Sequence, residues 1–513
     1  MSLQTARGKH GAVVSGHQSA TGIALDVLQT GGNVVDAAVA GAAALAVALP
    51  HACGLGGDCF ILAHIDGKTY ALNGSGRSPS RLPAGLDKAA LSTGPLSSAV
   101  PGMLGAWDAL HQRFGSRPWA ELLSPAVVLA KNGIDIASDF ANAITANRDA
   151  LERDPGCKAL FLDETVMSTG RLVQPCLAET LAQIVAERSP ALYKGDIGAK
   201  LCLASQERGG VLHVDDLAAY APVWATPLHY RYRGYDVHAC PPNSYGVLLL
   251  LQLAGLSGID LSKYPIDSAE RLQALMVATK AAVAHADKFL ADPEVIADRL
   301  PELLSPSAVA ALQAAVRQAT VTETKMPSSN GTAVISVADA KGNGVTIVQS
   351  IFVPFGAIVA DAETGIVLNN RLLGFSTTPG HPNFAAPNKR PAHTLSPALV
   401  LRNGRLSMLL GTPGGMGQTI TLSQVFTDLV DYGLDLKTAI SLPRWALDIG
   451  NNIVVEPEIP AASITTIHSR GLDARTATPQ QRFFFGSAEC IDLRNGELIA
   501  VADGRRNATA SAY

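Results

Sequence analysis

A chain of 513 residues, 47% hydrophobic and 16% charged, can bury a large core and is too apolar to be disordered. Its 40 basic and 44 acidic residues leave a net charge of −4, with no basic run of the kind that binds nucleic acid. The seven cysteines, at 53, 59, 157, 176, 202, 240 and 490, form neither a CxxC nor a zinc-type spacing with histidine, so reduced thiols are expected, with no metal and no organic cofactor.

In chain order, the N-terminal MSLQTARGKHGAVVSGHQ lacks an apolar h-region, which predicts a cytoplasmic protein. Gly11 to Ser15 reads as a short strand and Ala20 to Gln29 as a helix ended by Gly31-Gly32. Asn33 is placed to N-cap the next helix, with Asp36 in the capping-box position. The small side chains from Ala37 to Ala48 suit a helix buried on most sides, and the apolar run ends at Pro50, too short to span a bilayer. Cys59 to His64 and Thr69 to Leu72, joined by Asp66-Gly67, form a predicted hairpin. Residues 100 to 320 read as mostly helical, most clearly Asp267 to Leu290, started by Asp267 and Glu270.

A polar run from Thr320 to Asn330 then gives way to β-branched residues. Val334 to Val337 reads as a strand, Lys341-Gly342-Asn343-Gly344 as a turn and Val345 to Ser350 as the returning strand. Strands dominate up to a helix from Gln418 to Tyr432, and the last ones fall near Ile453 to Val455, Ala488 to Leu493 and Leu498 to Ala502. Read as bare residues, Asn330-Gly331 is a turn and Thr332 an ordinary opening residue of a strand. Cutting between Gly331 and Thr332 would create something else. Thr332 would gain an α-amine of pKa about 7.7–8, able to act as base for its own hydroxyl.

The second reading is favoured by a resemblance. TAVISVADAKGNGVTIVQS, FGAIVADAETGIVLNNRLLGFS and GTPGGMGQ resemble the small subunit of the γ-glutamyltranspeptidases and their acylase relatives. Upstream, TGGNVVDAAVAGAAALAVALPHACGLGGDCF, AVPGMLGAWDAL, PPNSYGVLLLLQLAGL and ADKFLADP match in order, as do GSAECIDL and DGRRNATASAY at the end. The resemblance implies an N-terminal-nucleophile hydrolase of mixed α/β class. Its fold would be a four-layer αββα sandwich built from a helix-rich large fragment, residues 1–331, and a small fragment, residues 332–513. The two would form a heterodimer, itself able to pair, without a membrane or nucleic-acid partner. Thr332 would be the nucleophile for self-cleavage after Gly331 and for turnover. Ser350 would be the second hydroxyl, and the amides of Gly414 and Gly415 an oxyanion hole; read alone, the glycine pair is a plain turn.

The chain departs from the family where substrate is held. Phe352 stands in place of an asparagine, Arg371 of a glutamine, Gly374 of an aspartate, Ser75 of an arginine, and His393-Thr394 of a serine pair. Loss of the acid that pairs with an ammonium, and gain of a cation, predict an anionic acyl group without an amine. Arg371 is by geometry a good ligand for its carboxylate, and Arg77, two places from the family's arginine, could serve instead. His393 is a further donor or a structural histidine. The expected reaction is hydrolysis of a small carboxylate-bearing amide, and the resemblance, among family members with that description, implies oxamate to oxalate and ammonia first. A glutaryl amide, as for cephalosporin acylases, a γ-glutamyl amide, and an unprocessed scaffold without activity are the alternatives.

Overall fold

The structure, a computed structural model, describes residues 3–319, 331–448, 452–494 and 496–513. The polar run expected from Thr320 to Asn330 lies outside them. Two seven-stranded sheets face each other. In chain order their strands are β1 (Gln4–Gly8), β2 (Gly11–Ser15), β3 (Asp58–Ile65), β4 (Lys68–Gly74), β5 (Val223–Ala225), β6 (Leu228–Tyr232) and β7 (Tyr235–Ala239). They continue with β8 (Gly331–Asp339), β9 (Gly344–Phe352), β10 (Ala398–Arg402), β11 (Arg405–Gly411), β12 (Glu489–Asp492), β13 (Leu498–Ala502) and β14 (Thr509–Ala512). One sheet runs β14-β2-β8-β9-β3-β4-β5 and the other β1-β13-β12-β11-β10-β7-β6.

Alternation along the strands explains the layers. Val14, Phe60, Leu62, Val334 and Val348 of the first sheet meet Leu399, Leu409, Ile491 and Ala500 of the second in a core between the sheets. The opposite faces bury Ile335, Val337, Val345 and Ile347 under one helical layer and Val237, Val400, Met408 and Leu410 under another. The first layer contains α1 (Gln18–Gln29), α2 (Val34–Ala48) and α3 (Trp119–Asn132). The second contains α4 (Val247–Leu256), α5 (Ala269–Ala286) and α6 (Gly417–Val430). This is the expected αββα sandwich.

Asn33 Oδ1 accepts from the amides of Val35 and Asp36 while Asp36 Oδ2 accepts from the amide of Asn33, so the capping box forms. The start of α5 differs from expectation. Ser268, not Asp267, caps it, with its hydroxyl accepting from the amide of Arg271. The region from 100 to 320 is also less uniformly helical than predicted, because β5, β6 and β7 complete one end of each sheet. No helix among the described residues is long and apolar enough to cross a membrane, and no cluster of three or more His, Cys, Asp or Glu among them could hold a metal ion. All seven cysteines are free.

Candidate active site

The candidate nucleophile lies inside a strand. β8 begins at Gly331, which pairs with Phe352 of β9, and the register shifts between Gly331 and Ala333. Thr332 therefore occupies an irregularity of the ladder, where an inserted residue re-aims its side chain. It is 3% exposed, and its hydroxyl has no hydrogen-bond partner among the described residues. A buried hydroxyl left unmatched costs stability unless it serves another purpose.

Ser350 supplies the contact next to it. Its Oγ donates in a short hydrogen bond to the carbonyl of Gly331, the group that precedes Thr332, and accepts from the amide of Phe352 at 2.7 Å. A donor on that carbonyl polarises the Gly331–Thr332 peptide bond. Phe352 is buried with φ at +89°, a conformation unusual for a bulky residue.

Across the sheet from Ser350 lies Asp58, its direct partner in the β9–β3 pairing. Such opposed residues have Cβ atoms about 5 Å apart. Both share a face with Val348 and Phe60, which belong to the core between the sheets. Asp58 Oδ1 accepts from the amide of Gly76 at 3.3 Å. Its Oδ2 accepts from Arg371 Nε at 3.0 Å and from His393 Nε2 at 3.1 Å. Arg371 and Asp58 are both 0% exposed. The guanidinium carbon stands 4.2 Å from the centre of the Phe352 ring, and neither terminal guanidinium nitrogen has a hydrogen-bond partner among the described residues. Burial lowers the pKa of Arg371 to about 10 while Asp58 opposes the shift, so the group stays cationic at neutral pH.

His393 is read as neutral. The amide of Leu395 donates to its Nδ1 at 3.4 Å, which leaves the proton on Nε2 facing Asp58. Burial, then the charge of Arg371, lowers its pKa to about 4. Thr394 is buried, and its carbonyl accepts from Ser396 Oγ at 2.9 Å.

The glycine pair approaches from the opposite sheet. A Cβ on Gly411, the last residue of β11, would stand 2.5 Å from Val334 Cγ1, two residues from Thr332. From there the chain enters Thr412-Pro413-Gly414-Gly415. Gly414 at φ +123° and Gly415 at +58° use backbone conformations that favour glycine. Their amides meet no acceptor among the described residues, whereas their carbonyls accept from Gly417 and Gln418 as α6 begins. Two free amides on a turn ahead of a helix can receive an oxyanion.

Arg77 is differently placed. Its guanidinium is paired with Asp292 at 3.1 Å and with Glu294, and it donates to the carbonyl of Asn388 at 2.8 Å. These partners occupy the donors that holding a substrate carboxylate would need. Gly374 has no room for an acid, since an added Cβ would stand 2.4 Å from the carbonyl of Ala392. Asp58 was not among the residues singled out from sequence. Its only signal was its place directly after Gly56-Gly57 at the head of a strand.

Comparison with known proteins follows the same lines. The γ-glutamyltranspeptidase family model matches residues 20–513. The glutathione hydrolase-like YwrD proenzyme of Bacillus subtilis is 36% identical over 441 residues, covering 84% of this chain and 84% of its own length. The oxamate amidohydrolase proenzyme of Klebsiella pneumoniae is 29% identical over 525 residues, covering 98% of each. The solved cephalosporin acylase from Bacillus halodurans has a TM-score of 0.89 at 28% identity, covering 100% of this chain and 97% of its own.

Proposed function

This chain belongs to the γ-glutamyltranspeptidase family of hydrolases, and from that premise we propose that it cuts itself before Thr332 and then hydrolyses a compact amide bearing a carboxylate. Oxamate is the first choice of substrate, in keeping with the Klebsiella relative that matches over nearly the full length.

In self-cleavage Thr332 Oγ attacks the carbonyl carbon of Gly331 while Ser350 donates to its oxygen. The C–N bond breaks as the ester forms, its proton passing to the released amine, and water then hydrolyses the ester. The products are residues 1–331 and a fragment starting at Thr332. In turnover the new α-amine takes the proton of the hydroxyl as the oxygen adds to the substrate amide. The amides of Gly414 and Gly415 receive the oxyanion, the α-ammonium of Thr332 passes its proton to the substrate nitrogen, which leaves as ammonia as its C–N bond breaks, and water releases the acid from the acyl-enzyme.

The observation that carries the substrate reading is the pair of unpartnered terminal nitrogens on Arg371, a fully buried guanidinium. Two parallel N–H groups fit a carboxylate better than any neutral acceptor. A γ-glutamyl group would also need an acid for its ammonium. Position 374 cannot carry one, and Asp58 already accepts three donors. The whole-chain likeness to a cephalosporin acylase supports a second reading, in which the same grip serves a longer dicarboxylic acyl group.

The test has two parts. On a denaturing gel the wild-type chain should give two fragments, and Thr332→Ala a single band at 53.3 kDa with no turnover. An uncut wild-type chain would point to a scaffold. Ammonia release from oxamate, beside acyl release from glutaryl and γ-glutamyl amides, separates the substrates; turnover of the γ-glutamyl compound alone would refute the carboxylate grip.

A further inference from the structure

We propose that Asp58 is a positioning residue, which turns the Arg371 guanidinium so that its two terminal nitrogens face the substrate's carboxylate. The inference rests on the preceding reading that Arg371 binds that group, and adds to it the residue that decides whether Arg371 can.

Arg371 offers five N–H donors, and Asp58 engages only the one on Nε. Carboxylates commonly meet arginine side-on through Nε and one terminal nitrogen, or end-on through both terminal nitrogens. Here the second donor in reach of Oδ2 is His393 Nε2, so the usual second arginine contact is displaced. The Phe352 ring against the guanidinium plane restricts rotation about the remaining axis. The result is a cation fixed by one edge, with its fork left over.

The placement links this fork to the chemistry. Asp58 stands opposite Ser350 in the β9–β3 pairing, and Ser350 bonds the carbonyl just ahead of Thr332. A short acyl group could thus reach both the hydroxyl of Thr332 and the fork. Asp58 also matches the charge of Arg371, and His393 adds none. The grip therefore comes from the geometry of two buried N–H groups more than from net charge, and salt should affect it little.

Asparagine cannot replace Asp58. One oxygen of the carboxylate accepts from Gly76 and the other from Arg371 and His393. Either orientation of an amide would set its NH2 against one of these donors, and Arg371 would keep at most a neutral acceptor in place of its charged anchor. Lysine at 371 would fail in another way, since a single ammonium drawn to Asp58 leaves no fork.

The experiment measures steady-state kinetics on the dicarboxylic monoamide that the wild-type enzyme turns over, oxamate or glutaramate. Self-cleavage is followed beside it for wild type, Asp58→Asn, Arg371→Lys and the double variant. Both single variants should raise KM at least tenfold with kcat changed less than threefold, and self-cleavage should proceed. In the Arg371→Lys background, Asp58→Asn should add less than threefold to KM. If Arg371→Lys leaves KM unchanged, the substrate reading itself fails. If Arg371→Lys raises KM and Asp58→Asn does not, only the present inference fails. Independent, multiplying effects in the double variant would also overturn it. So would an Asp58→Asn chain that neither cuts itself nor unfolds cooperatively, because Asp58 would then serve the fold.

Discussion

Arg77 and Arg371 carry the same side chain into different surroundings. Arg77, with 29% of its side chain exposed, meets two acids and a carbonyl, and such partly solvated pairs contribute about 0–1 kcal/mol. Arg371 is sealed from water with one acid, and removing either partner of such a pair costs about 3–5 kcal/mol. Motif comparison had placed both near the substrate, but only contacts could rank them. Asp58 was harder to find, because it sits 313 residues from Arg371 and 335 from His393. No local spacing reports a charge pair closed by the fold. Two buried histidines give a prediction at this scale. Burial lowers His51 and His393 to about 4 from 6.5. Between those values the unfolded chain takes up protons that the folded chain refuses, so stability falls as pH drops from 6.5 toward 4. Each histidine contributes up to ~1.4 kcal/mol per pH unit in that window, and nothing above it. Urea unfolding of the uncut Thr332→Ala chain should show a clearly lower midpoint at pH 5 than at pH 7, a gap that narrows in the His393→Gln background. Equal midpoints at the two pH values would contradict it.

Local chemistry made some elements plain in the sequence and hid others. α2 announced itself through Asn33, Asp36 and an unbroken run of small apolar residues, and every residue from Val34 to Ala48 is buried. β8 and β9 were equally visible, with β-branched runs on either side of a glycine turn. β6 and β7 were not. They are edge-side strands with alternating exposure, carrying His229, Arg231, Asp236 and His238 on one set of positions, so the apolar signal is diluted. The structure gives the Gly56-Gly57 pair ahead of Asp58 a steric reason. A Cβ on Gly57 would stand 2.4 Å from the carbonyl oxygen of Ser350, with backbone on both sides of the clash. Gly57→Ala should therefore destabilise the chain by about 1–3 kcal/mol and slow self-cleavage by displacing β9 at Ser350. Thermal unfolding and the time course of fragment formation check this; an unchanged Tm with normal cleavage would show that the turn yields freely.

At the scale of the molecule, sequence on both sides of Thr332 is interleaved in each sheet. β2, β3, β4 and β5 flank β8 and β9 in one, while β1, β6 and β7 flank β10 to β13 in the other. Fragments separated by a cut at Gly331–Thr332 would share two continuous hydrogen-bonded ladders and a common core. They are expected to co-elute as one particle in gel filtration without denaturant and to part only in denaturant. Residues 1–331 expressed alone should fail to fold, lacking the centre of both sheets. Elution of separate fragments from the native column would show that the shared sheets do not hold them.

The bond proposed for cleavage lies at the start of β8 itself, not in the segment before it, and Ala333 is already paired with Gln349. A terminus born there inherits its neighbours. Nothing has to dock, fold or search before the first amide can be opened, so activity should rise in step with the appearance of the smaller fragment, with no lag between the two.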